Sequence, residues 1–170
     1  MGVFSTFTIP KIISAQENSK RKAVFREVIA AMSAAQHNAI ADGSIDTVGT
    51  YQLFSTKVNA IKLCPTASNT TGCWPQTAPN GEVVEGGFIM HNGATIAGLS
   101  NNYTSDNFLV DWNGPAEPNL AGDDQIMLSK CYRNVQSWCR GQHDIITVVT
   151  SAGWGGGPAH IALWESIFSD

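Results

Sequence analysis

The chain has 170 residues, 43% of them hydrophobic, which is enough apolar material for one folded domain and excludes disorder over the whole length. Charged residues make up 14%, against roughly 25% in typical soluble domains, and the formal net charge is -4. No broad basic field exists to bind nucleic acid, and the only tight cationic run is Lys20-Arg21-Lys22.

In chain order, the first predicted element is a helix from Pro10 to Ala41. Proline stands in the first turn, where its missing N–H costs nothing. Apolar residues recur at Ile9, Ile13, Val24, Val28, Met32, Ala35 and Ala39, with Phe25 and Ile29 widening the stripe, and no glycine interrupts before Gly43. A helix of this length reaches roughly 48 Å at 1.5 Å per residue, more than a domain of this size covers. The section Ser14–Lys22 is polar, whereas Ala23–Ile40 carries the amphipathic face. This predicts that the second half packs on the domain and the first half protrudes. Asp42-Gly43-Ser44 marks the stop.

A second, shorter helix is predicted over Thr50–Leu63 from Tyr51, Phe54, Val58 and Ile61. Beyond Pro79 the periodicity becomes that of strands. Glu82–His91 and Ala94–Leu99 flank Asn92-Gly93, a strong hairpin signal. Asn107–Trp112 and Asp124–Lys130 follow, joined by a loop with Asn113-Gly114-Pro115 and Pro118-Asn119. Asp144–Thr150 reads as a further strand, and Ile161–Phe168 as strand or short helix. A helix followed by consecutive antiparallel strands is an α+β arrangement. The expected architecture is a long helix (1–41) whose second half packs on a head (42–170) built around an antiparallel sheet of about four strands.

Four cysteines stand at Cys64, Cys73, Cys131 and Cys139. Eight residues separate the first pair and seven the second, which does not match the short knuckle spacing of zinc sites. Two disulfides, formed in an oxidising compartment, are the expectation. Three pairings are open, and the sequential one closes two short loops at least entropic cost. The run Val3–Ile9 is too short and too broken by Ser5, Thr6 and Thr8 to be a complete signal peptide or membrane span. Either the start has been removed, or the chain begins inside a longer apolar segment.

Two stretches carry a family resemblance. Gly2-Val3-Phe4-Ser5-Thr6-Phe7-Thr8-Ile9-Pro10, leading into a polar helix that includes Ile13, resembles the second half of the N-terminal helix of type IV pilins and type II secretion pseudopilins. Phe108-Leu-Val-Asp111-Trp-Asn113-Gly114, then Pro118-Asn119, Gly122 and Asp124, is similar to the strand-loop-strand element of the same family. Together they cover about a third of the chain, in the family's order. Nothing but Met1 precedes Gly2, where family members carry a basic leader and a Phe-Thr-Leu-Ile-Glu start, so a truncated subunit is expected.

The resemblance implies a structural role. Gly2, Val3, Phe4, Phe7, Ile9, Pro10 and Ile13 would form the assembly helix. It would hold the subunit in the inner membrane before assembly and then bury against copies of the chain or other pilins in an exported filament. The alternative is a minor pilin or tip module that binds a surface, DNA or a secreted substrate through Trp- and Gly-rich loops, where Trp74, Trp138 and Trp154 lie.

The loop Asp111–Asp124 concentrates oxygen ligands at Asp111, Asn113, Glu117, Asn119, Asp123 and Asp124. Two readings stand: turn geometry, or a calcium site such as some pseudopilins hold in a loop of the sheet domain. No other cofactor is expected. His37, His91, His143 and His160 are scattered, and neither a zinc-protease nor a nucleophile-elbow motif is present, so no enzyme is expected. Gly153–Gly157 lacks the Lys-Ser/Thr of a phosphate loop. Asn69 and Asn102 head glycosylation sequons that equally suit exposed loops.

Overall fold

The computed structural model describes residues 8–46, 50–64, 86–98, 107–116, 119–131, 145–150 and 157–169. Helix α1 runs over Thr8–Ala41, and its stripe is buried as the periodicity requires: Phe25, Val28, Met32, Ala35 and Ala39 are fully buried, Val24 and Ile29 nearly so. Residues 12–20 are all exposed. The helix ends where Gly43 takes a left-handed φ of 74°, donating to the Ile40 carbonyl at 3.3 Å. Past the stop, a 3-10 turn (Ser44–Asp46) is capped by Asp42, which also pairs with Lys57; that hydrogen bond above all holds the Asp42 carboxyl down to about 2.

The second helix is shorter than the spacing predicts. Helix α2 covers Thr50–Lys57 and buries Phe54 completely, but its last backbone bond, Val58 N–H to the Phe54 carbonyl, closes it. The chain then extends into strand β1, Ala60–Cys64. Ile61, one of the four apolar residues that suggested a helix, is 65% exposed on this strand. Helical spacing of four residues was too short a run to distinguish one element from two.

Strands β2 (Gly86–Met90), β3 (Thr95–Gly98), β4 (Asn107–Asp111), β5 (Gln125–Cys131) and β6 (Ile145–Val148) follow. With β1 they form one antiparallel sheet in the order β1-β2-β3-β4-β5-β6. The sheet thus has six strands where about four were expected: all five segments read as strands join it, and the edge strand β1, drawn from the segment read as helix, is the sixth. The β2–β3 hairpin turns at Asn92-Gly93, with Gly93 at φ 91° and the Asn92 side chain accepting from the Ala94 N–H at 3.1 Å.

The last element is a helix and not a strand: α3, Pro158–Phe168, buries His160, Leu163 and Ile167 at spacings of three and four. One core joins α1, α2 and α3 to alternate residues of the sheet, Phe88, Ile96, Phe108, Val110, Ile126, Leu128, Ile146 and Val148. Phe54 and Phe108 meet at its centre, ring centroids 5.6 Å apart. Burial of these side chains, each stabilising by about 1.5 to 3 kcal/mol, fixes the base from which α1 emerges.

Candidate functional site

The site of interest is where α1 leaves the domain. On the exposed half, Ile12 and Ile13 are 54% and 57% exposed, and no large apolar residue follows until Val24. Ile9 and Pro10 belong to the first turn of α1. Gly2, Val3, Phe4 and Phe7 lie outside the described residues.

Three successive cations mark the boundary between the exposed and buried halves, and each meets a different part of the head. The Lys20 ammonium lies 5.9 Å from the centre of the Trp112 ring. Arg21 pairs with the Asp123 carboxylate at 2.5 Å and donates to the Asp123 carbonyl at 3.1 Å. Lys22 donates to the carbonyl and hydroxyl oxygens of Ser169, both at 3.3 Å. One turn further, the Arg26 guanidinium donates to the Ile167 carbonyl at 2.6 Å. The cationic run therefore grips the β4–β5 loop on one side and the carbonyl end of α3 on the other, where positive charge suits the helix dipole. On a third side, Glu27 meets His91 at 2.8 Å and Asn92 at 3.1 Å on the β2–β3 turn.

A half-open pocket of about 160 Å³ lies at this junction, lined by Glu17, Asn18 and Arg21 of α1 and by Trp112, Asn113, Asp123 and Asp124 of the loop. The loop's acidic residues are occupied with its own turns. Asp111 is fully buried; its carboxylate accepts from the Asn113 N–H at 3.1 Å and from the Gln125 amide at 3.0 Å. Burial pushes its carboxyl up to about 7, against the lowering effect of Gln125, and the charge of Asp124 adds to the rise. Asp124 accepts from the backbone N–H groups of Asn119 and Leu120, both at 2.5 Å, yet burial still raises its carboxyl above the ordinary value. Asp123 faces Arg21. Asn119 is held at φ 51°, 93% buried, and neither side-chain polar atom has a hydrogen-bond partner among the described residues. Gly122, at φ 80°, presses on α3: a Cβ there would lie 2.5 Å from the Ala159 Cβ and 2.8 Å from its carbonyl.

Of the six residues read as oxygen ligands, five, Asp111, Asn113, Asn119, Asp123 and Asp124, are thus gathered into one loop, but the carboxylates serve turn amides, Gln125 and Arg21. Among the described residues no three His, Cys, Asp or Glu side chains are grouped to hold a metal ion. Glu117 lies outside the described residues. Among the described residues, the carboxylates cap the loop's own turns and pair with Gln125 and Arg21.

Cys64 and Cys131 are both disulfide-bonded. Four strand positions separate β1 from β5, about 19 Å at 4.8 Å per strand, far beyond the roughly 7 Å that a disulfide spans between Cα atoms. The two therefore do not bond to each other, which removes one of three pairings. Cys73 and Cys139 lie outside the described residues, as do Asn69, Asn102, His143, Trp74, Trp138 and Trp154.

Two buried polar positions that tie helices to the sheet escaped sequence reasoning. Gln36, fully buried on the apolar stripe of α1, donates to the Cys131 carbonyl at 3.0 Å and ties the helix to the end of β5. His160, 2% exposed, accepts the Met127 N–H through Nδ1 at 3.1 Å. Each is a polar residue at an apolar phase of its helix, and that misfit was the available signal. Among the described residues no helix is long and apolar enough to cross a membrane. No protein-family model, curated protein or solved structure matches this chain.

Proposed function

We propose that the chain is a structural subunit of a type IV pilus or pilus-like filament, and that it works by self-assembly through α1 without a chemical step. The observation that carries this reading is the uncovered half of α1, with Ile12 and Ile13 more than half exposed on a helix rigidly seated in its own domain. An apolar surface on a stiff projection is suited to burial against another copy, and a contact between unlike faces propagates into a fibre. The resemblance around Gly2–Pro10 and Phe108–Asp124 gives that partner its identity: copies of the chain or related pilins, after a stage in the inner membrane. Disulfide bonding at Cys64 and Cys131 supports an exported location, at the cell surface or in the periplasm. The sequential pairing, Cys64 with Cys73 and Cys131 with Cys139, is part of this reading; peptide mapping without reductant tests it.

The test is Ile13→Asp in the producing cell. Filaments sheared from the surface should vanish while the purified variant melts as the parent does. Unaltered filaments containing the variant would overturn the assembly role of α1. Antibody decoration along the whole fibre is expected; decoration confined to its ends would replace a repeating subunit by a tip module.

A further inference from the structure

Strand β6 ends at Val148, one residue before the backbone leaves the sheet, and Val149 makes the last ladder bond to the Met127 carbonyl at 3.0 Å. The Met127 N–H points the same way and has no strand residue left to meet. Its acceptor is the imidazole Nδ1 of His160, from the first turn of α3, at 3.1 Å and buried. An imidazole accepts at Nδ1 only when that nitrogen carries no proton, so the geometry requires the neutral Nε2–H tautomer. A second proton would set an N–H against an N–H inside a buried contact.

We propose that His160 is an acid-sensitive pin: α3 docks on the sheet while the imidazole is neutral and is released at its N-terminal end when the imidazole is protonated. Among the described residues, the charged groups on the elements around it lie at a distance or are directed elsewhere. On α1, Lys22 and Arg26 reach α3 only at Ile167 and Ser169, seven or more residues on, about 10 Å along the helix. On β5, the charged residue is Lys130, buried and three residues from Met127, about 10 Å away. Strand β6 has no titratable residue. The β4–β5 loop touches α3 at Ala159 through Gly122, and its carboxylates, Asp123 and Asp124, are directed to Arg21 and to backbone amides. On α3 itself Glu165 is exposed, more than a turn away. Because α3 in turn holds α1 through Arg26 and Lys22, release would loosen the base of the projecting helix. This inference is independent of the filament reading.

The experiment compares the parent with His160→Asn, whose side-chain oxygen sits where Nδ1 does and accepts without titrating. Hydrogen exchange of the α3 amides and of the Met127 amide is measured from pH 7.5 to 5, corrected for the intrinsic pH dependence. Protection in the parent should fall on the order of 10- to 100-fold, the factor that loss of one buried acceptor carries, while the variant stays level. Parallel curves, or a parent without loss of protection, would overturn the pin. If His160→Asn does not fold, nitrogen chemical shifts of the parent's imidazole still decide: Nε2–H at pH 7.5 is expected, and Nδ1–H refutes the proposal.

Discussion

Two halves of one helix, residues 12–20 and 24–39 of α1, share a continuous backbone but have opposite surroundings. The second half repeats apolar residues at every turn and buries that stripe from Val24 to Ala39. The first has Ile12 and Ile13 and then about three turns without a large apolar side chain. An isolated segment that short is marginal as a helix in water, so the first half is helical because it extends a helix nucleated by packing elsewhere. What the difference teaches is that coverage, not helicity, separates the domain from its projection. The boundary falls on Lys20-Arg21-Lys22, where the head takes hold.

The comparison breaks most severely at Phe25, which is fully buried in the main core. Phe25→Ala should destabilise the fold by about 3 to 5 kcal/mol, read as a drop in denaturant midpoint, and should melt both halves together. A variant that lost only the exposed half would contradict the view that the buried half carries it. Next comes the loop that grips the boundary. Gly122→Ala meets both a left-handed φ and the Ala159 backbone, and a loss of roughly 2 to 3 kcal/mol is expected.

Asp111 sharpens the comparison from the electrostatic side. Its folded value of about 7 stands above the ordinary carboxyl value of 3.8, so the folded state binds the extra proton more tightly. Below pH 4 the group is neutral in both states and costs nothing. Between pH 4 and 7 stability is lost progressively as pH rises, and above pH 7 the full cost of the buried charge is present. Asp111→Asn should therefore match the parent near pH 4 and exceed it by about 2 to 4 kcal/mol at pH 8. Urea titrations at the two values would show it. An unchanged difference across that range would mean that the carboxylate is not desolvated. Because the loop's carboxylates are engaged by amides and by Arg21, a chelator is expected to leave the melting temperature unmoved; a downward shift would place calcium in the loop.

Much of this was legible beforehand where a signal repeats. Seven apolar positions on α1, the Asn92-Gly93 hairpin signal and the turn-bounded apolar runs of β4 and β5 are each strong enough to overrule chance. The C-terminal helix and β1 were not legible for the opposite reason. Four apolar residues from Tyr51 to Ile61 fit a helix but serve a helix and then a strand, and the backbone pairing that decides between them lies in β2. The candidate site was half legible. Its acidic residues do converge in one loop, but their partners, Arg21 102 residues before Asp123 and the N–H groups of Asn119 and Leu120, follow only from the folded path of the chain. Gln36 and His160 were visible as misfits, although their acceptor and donor were not.

The smallest expected effect on stability is the most informative for the two halves. Ile13→Ser removes an apolar side chain that is already 57% exposed and touches no part of the core, so the folding free energy should move by less than about 0.5 kcal/mol. Phe25→Ala and Ile13→Ser thus replace apolar residues on one helix with stability effects that differ by roughly an order of magnitude. If the filament reading holds, their effects on assembly are inverted for correctly folded protein: Ile13→Ser yields a stable subunit that polymerises poorly, because the side chain's burial occurs only between subunits. Polymer mass sedimented at a fixed concentration of folded protein measures this. A substantial loss of stability would show that residue 13 packs against its own head, and the projection would then belong to the domain.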